Sequence, residues 1–116
     1  MPKRKLDPLP SAAFHILMAL ADRNLHGYDI MRQVGEQTGG RMRLGPGTLY
    51  GSIRTLLEEG MIEEIEPRSA RNPGEERRRY YRITSAGRKL ARAEAERLTE
   101  LLSVVRAKNI LGGNHA

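Results

Sequence analysis

The chain of 116 residues has no cysteine and no tryptophan, and its aromatics amount to four Tyr and one Phe. Without thiols it forms neither disulfides nor thiolate metal sites, and its redox compartment leaves no trace in the sequence. So few aromatics and a hydrophobic fraction of 39% allow one small core rather than two domains, and a core that a partner subunit completes is expected. No apolar run approaches the roughly 18–20 residues of a membrane span. Lys3-Arg4-Lys5 followed by Ala12 to Ala21 imitates a signal peptide. Asp7, Pro8, Pro10 and His15 interrupt it where a clean apolar region would run, so a cytoplasmic protein is expected. His15, His26 and His115 lack metal-ligand spacing, and there is no phosphate loop and no nucleophile–base pair. Neither an enzyme nor a cofactor is expected.

Positive charge, by contrast, is plentiful. The net charge is +6 and the pI about 10.2, which suits a polyanionic partner. Its placement is more telling than its sum. Nine cations lie between Arg68 and Arg92 against only Glu75 and Glu76, a local +7, so the remainder of the +6 chain carries −1.

The stretch Leu44 to Ile62, LGPGTLYGSIRTLLEEGMI, organises the rest. Gly45-Pro46-Gly47 stops what precedes and leaves Thr48 near a helix start. Leu49, Ile53, Leu56 and Leu57 then form one apolar stripe, and Gly60 ends the helix. At about 100° per residue the other face carries Thr48, Gly51, Arg54 and Thr55, flanked by Tyr50 and Ser52. No acid interrupts it before Glu58. Small, neutral and cationic hydrogen-bonding groups suit close approach to an anionic surface, and the helix reads as a DNA recognition helix.

In chain order, residues 1–10 read as a basic flexible arm. Ser11 is a suitable N-cap for a helix through about Asp22. Phe14, Leu17, Met18 and Ala21 make one stripe on it, and Ile16 and Leu20 a second that is expected to meet another subunit. Arg23 to Gly27 reads as a turn, and about Tyr28 to Thr38 as a second helix with Ile30, Met31 and Val34 inward. Gly35 within it suggests close packing against a neighbour. Arg41 to Leu44 suggests a short strand. Three helices so spaced form a helix-turn-helix core. Met61 to Glu66 and Tyr80 to Thr84 read as two strands around a long basic tip, which is the wing of a winged helix. A final helix from Thr84–Gly87 to about Asn109 would be about 37 Å long at about 1.5 Å per residue, longer than the domain can cover. Its overhang exposes Leu98, Leu101, Leu102 and Val105 unless another chain packs there. The expected fold is therefore mainly α, of α+β winged-helix type. The winged helix-turn-helix spans residues 11–84, a dimerisation helix 85–110 and a disordered tail 111–116.

Three blocks in register, HGYDI at His26–Ile30, GPGTLYGSIRTLLEEGMI at Gly45–Ile62 and YYRITSAGRKL at Tyr80–Leu90, resemble the PadR family of transcriptional regulators. The likeness covers about residues 12–108. It implies a winged helix, a homodimer joined through terminal helices, and repression by operator binding. Many members carry proline after the Leu-Tyr pair, where this chain has Gly51, and some bind aromatic compounds between subunits through a tryptophan that this chain lacks.

The expected DNA contacts are Thr48, Tyr50, Gly51, Ser52 and Arg54 on the recognition helix. Arg71, Arg77, Arg78 and Arg79 are expected on the wing, and Tyr28 at a phosphate. Lys3, Arg4 and Lys5 could reach phosphates as an arm. Glu63, Glu64 and Glu66 read as a solvated strand face. The expected partners are double-stranded operator DNA, a second copy of the chain through Ile16, Leu20, Leu98, Leu101, Leu102 and Val105, and an unidentified small-molecule effector. The rival reading is a winged helix that binds an acidic protein through the basic patch.

Overall fold

One apolar stripe on each of three helices makes the core. The computed structural model describes residues 6–65 and 79–112. Its elements are α1 (Ser11–Ala19), β1 (Leu25–His26), α2 (Gly27–Gln37), α3 (Pro46–Glu58), β2 (Ile62–Ile65), β3 (Tyr80–Ile83) and α4 (Ser85–Ala107). α1 packs on α2, on α3 and on the base of α4, and the strands form an antiparallel sheet in the order β1-β3-β2. This is the expected winged-helix architecture. Ile30 and Val34 from α2 and Leu49, Ile53 and Leu56 from α3 are buried together, as their spacing requires. Truncating a side chain such as Leu56 to Ala costs about 2–5 kcal/mol in such a setting.

The face of α1 turned to this core differs from expectation. Ile16 and Leu20, expected at a subunit interface, are 0% and 1% exposed within the chain itself. With Ala13 and Leu17 they occupy one arc of α1, and Met18 on the neighbouring arc is left 42% exposed. The helix is also shorter than expected. Pro10 is its N-cap, Ser11 its first residue, and Leu20 already its C-cap. Leu6 joins the core at 7% exposure and Leu9 packs against it, so the described part of the first ten residues is anchored rather than flexible.

Arg23 to Gly27 is more than a turn. Leu25 and His26 pair with Tyr81 and Tyr80, adding β1 to the hairpin. Arg41 to Leu44 forms no strand, and Gly35 faces open space rather than a neighbour. In the hairpin Ile62 pairs with Ile83 and Glu64 with Tyr81, which puts Ile62, Tyr81 and Ile83 in the core. Burial pushes the Tyr81 phenol above its ordinary pKa, and the nearby Glu64 carboxylate adds to the effect. On the opposite, solvent face Arg82 Nε donates to Glu63 Oε1 at 2.7 Å, whereas Arg79 lies 3.7 Å from Glu64 at the outer end of the face that carries Tyr81.

α3, β2 and α4 meet at one junction. The C-terminus of α3 closes with Gly60 at φ 76°, where Gly60 N–H donates to Leu57 O and Met61 N–H to Leu56 O. Thr84 then caps α4, its Oγ1 accepting from Gly87 N–H at 3.0 Å and donating to Gly60 O at 2.7 Å. Thr84 N–H donates to Met61 O at 3.0 Å. A Cβ on Gly87 would stand 2.0 Å from that same Met61 oxygen. Gly87→Ala is therefore expected to lose about 3 kcal/mol or more, the upper range for overpacking, in urea unfolding. At Gly51 no atom lies within 4 Å of an added Cβ. Gly51→Ala should accordingly gain about 0.5–1 kcal/mol by the same measurement.

Candidate nucleic-acid interface

α3 starts where backbone chemistry dictates. Gly45 is the N-cap with extended backbone, Pro46 occupies the first helical position, and no acid sits in the first turn. Thr48 thus lies inside the first turn and not at the cap. Opposite the buried Leu49, Ile53 and Leu56, the residues Thr48, Gly51 and Arg54 are exposed, while Ser52 and Thr55 are half-buried. Thr55 Oγ1 donates to Gly51 O at 3.2 Å, so the hydroxyl is satisfied within the helix. The open space at Gly51 leaves the backbone bare in the middle of this face.

Tyr50 links this face to the start of α2. A Cβ on Gly27 would meet Tyr50 Oη at 2.8 Å, so the ring lies against bare backbone that only glycine offers. His26 caps α2: its Nδ1 accepts from Asp29 N–H at 3.3 Å and its Nε2 lies 3.0 Å from Asp29 Oδ2. Its ring also meets Tyr80 edge-on, with centroids 5.3 Å apart. Between α2, α3 and β3 opens a groove of about 540 Å³ lined by Tyr28, Arg32, Tyr50, Arg79 and their neighbours. Two half-exposed phenols, at 58% and 50%, and the guanidinium groups of Arg32 and Arg79 line it together with the Asp29 carboxylate, which His26 holds, and Arg79 also stands beside Glu64.

Of the site residues expected from sequence, Tyr28 and Tyr50 share this groove, and Thr48, Gly51 and Arg54 share the exposed face of α3. Arg71, Arg77 and Arg78 lie outside the described residues, as do Lys3, Arg4, Lys5 and Glu66. Arg32 was missed as a lining residue, although its position four residues after Tyr28 on α2 is the signal that finds it. On α4, Leu98, Leu101 and Leu102 are exposed and Val105 is half-buried, and Val104 joins the exposed set. Among the described residues no three His, Asp or Glu side chains gather as a metal site. No described helix is long and apolar enough to cross a membrane.

Residues 16–93 match the transcriptional regulator PadR-like family. An uncharacterized 37.1 kDa protein of a Streptomyces fradiae transposon is 38% identical over 86 residues, covering 74% of this chain and 22% of that protein. A transcriptional regulator of Mycobacterium tuberculosis is 31% identical over 99 residues, covering 85% of this chain and 81% of the other. The chain therefore spans about a fifth of the first relative and most of the second. A PadR family transcription regulator from Clostridium difficile has the same fold, with a TM-score of 0.74, 22% identity, and coverage of 89% of this chain and 100% of that one. Bacillus subtilis PadR in complex with operator DNA gives a TM-score of 0.62 at 21% identity, covering 73% of this chain and 46% of that one.

The Tyr50–Gly27 contact is open to a direct check. Gly27→Ala should displace the Tyr50 ring, whose far end can move, with a stability change within about 1 kcal/mol. Aromatic NMR should show the Tyr50 ring resonances shifted. Unchanged Tyr50 resonances would show that the ring does not rest on Gly27.

Proposed function

The chain belongs to the PadR-like family of transcriptional regulators, and on that premise we propose that it is a repressor that reads an inverted-repeat operator as a homodimer. The observation that carries the reading is the exposed face of α3, free of acids from Thr48 through Arg54 and bare of side chain at Gly51. A helix fits the major groove, where Arg54 has the geometry to bond guanine O6 and N7 and where Thr48 and Ser52 can meet bases or phosphate. Tyr28 and Tyr50 offer hydroxyls to the flanking backbone. The wing residues Arg71, Arg77 and Arg78 are proposed on the adjacent backbone or minor groove. That Bacillus subtilis PadR, of the same fold, is found in complex with operator DNA supports DNA as the partner. Regulation of this kind is binding without catalysis.

The proposed dimer uses α4. A helix of 23 residues that leaves Leu98, Leu101, Leu102 and Val104 in water gains from a partner at about 25 cal/mol per Å² of apolar area covered. Two recognition helices so joined would meet half-sites about 10 bp apart or a multiple of that. An effector bound between subunits would act by changing the separation of the reading heads.

Fluorescence anisotropy on DNA from upstream of its own gene, with random DNA of equal length as control, tests the function. Saturable binding of two protomers per site, well above the control, is expected. Equal binding to both DNAs, collapsing as salt rises, would reduce the reading to nonspecific attraction. Binding to neither would favour the acidic-protein reading. Arg54→Ala should cost about 1–3 kcal/mol on the operator and relax selection at one base pair, with little loss on random DNA. Leu101→Glu should give a monomer in sedimentation velocity and weaken operator binding, and an unchanged dimer would remove α4 from the interface.

A further inference from the structure

The connection between α2 and α3 carries two arginines that the recognition face does not include. α2 ends with Gly39 and Gly40 at φ 62° and 79°, and Gly40 N–H donates to Gly35 O at 2.7 Å. Thr38 Oγ1 then takes the N–H of Met42 at 3.0 Å while donating to Val34 O at 2.8 Å. Beyond this hook the chain alternates. Met42 packs against the core and Leu44 is buried within it, whereas Arg41 and Arg43 are exposed. The segment is thus held at its glycine turn, at the Thr38 hook and at two apolar anchors, and it delivers both guanidinium groups immediately ahead of the first residue of α3.

Some of the described cations stand beside an acid. Arg79 stands by Glu64, Arg82 by Glu63, Arg92 by Glu96 and Arg97 by Glu94. Among the described residues Arg41 and Arg43 pair with no acid, as is also true of Arg32, Arg54, Arg88 and Arg106, and what sets the two apart is their place on the held segment ahead of α3. Two guanidinium groups without an acid partner among the described residues, on a backbone held at its turn and its apolar anchors beside the proposed recognition helix, suit a regularly spaced row of phosphates, which rewards fixed cations through counterion release.

We infer that Arg41 and Arg43 form a phosphate anchor for the DNA backbone, contributed by the α2–α3 connection and distinct from the wing. The inference rests on the DNA-binding reading above. The anchor sets the register and depth of α3 in the groove and carries no sequence information of its own. Arg41 and Arg43 are therefore positioning residues for Arg54.

Salt titration of binding tests it, with the full chain on operator-bearing and random duplexes. The double variant Arg41→Ala/Arg43→Ala should weaken binding to both duplexes by the same factor. The slope of log K against log salt should fall by about 1 for each phosphate contact removed. Arg41→Lys and Arg43→Lys should retain the slope, since a phosphate contact requires charge rather than the planar fork. Thermal unfolding should be unchanged, both side chains being exposed. A double variant with the wild-type slope would overturn the anchor and leave the DNA-binding reading standing. A loss confined to the operator would make these base-reading residues and would also overturn it. A wild-type chain that binds neither duplex, but binds an acidic protein with the same arginines, would overturn both readings together.

Discussion

The carbonyl of Met61 is the point on which the geometry of the molecule turns. It accepts from Thr84 N–H and lies directly under Gly87, so that the end of α3, the start of β2 and the first turn of α4 share a few ångströms of backbone. Thr84 closes the arrangement by capping α4 with the same hydroxyl that holds the Gly60 carbonyl. A side chain at Gly87 would force these elements apart. The helices α3 and α4 are thereby set at a fixed angle. On the proposed reading, that junction converts the packing of two α4 helices into the spacing of two reading heads.

The chain divides its charges between two tasks. Along the hairpin and α4, Arg79, Arg82, Arg92 and Arg97 stand beside glutamates, and such surface pairs add little to stability and chiefly neutralise local charge. The Glu94 carboxyl is held below its ordinary pKa by the hydrogen bond from Arg97, in keeping with such a local pair. Around the start of α3 the cations have no such neighbours among the described residues, and the helix presents hydroxyls and bare backbone instead. Stability owes little to that surface, because Leu49, Ile53 and Leu56 on the opposite side hold the helix in place. The surface is therefore free to be shaped by its partner.

Much of this is legible in the sequence. Leu49, Ile53 and Leu56 have helical spacing, Gly60 marks the cap, and the two strands stand out by composition, although which of Tyr80 and Tyr81 faces the core is settled only by pairing with β2. The helical signals are local and their period is unambiguous. The inward face of α1 was not legible, because Ile16 and Leu20 compete with Phe14 and Met18 for the same role and only the neighbouring helices decide between them. β1 could not be read from two residues, since Leu25 and His26 become a strand only through pairing with β3. The alternation of Arg41 to Leu44 imitates a strand, yet it records an inside and an outside without a ladder partner. Leu6 lies in a polar, proline-bearing segment whose composition hides its anchor. Within the candidate site, the face of α3 was read from spacing alone, whereas the contact of Tyr50 with Gly27 needed α2 and α3 in register.

The central claim is that the exposed face of α3, with the start of α2, is the surface that receives DNA. Amide NMR titration with a duplex from upstream of the gene measures this residue by residue. The account predicts the largest shifts at Thr48, Gly51, Ser52, Arg54 and Tyr28, with the amides of the outer turns of α4 nearly unmoved. Shifts concentrated on α4, with α3 silent, would contradict it.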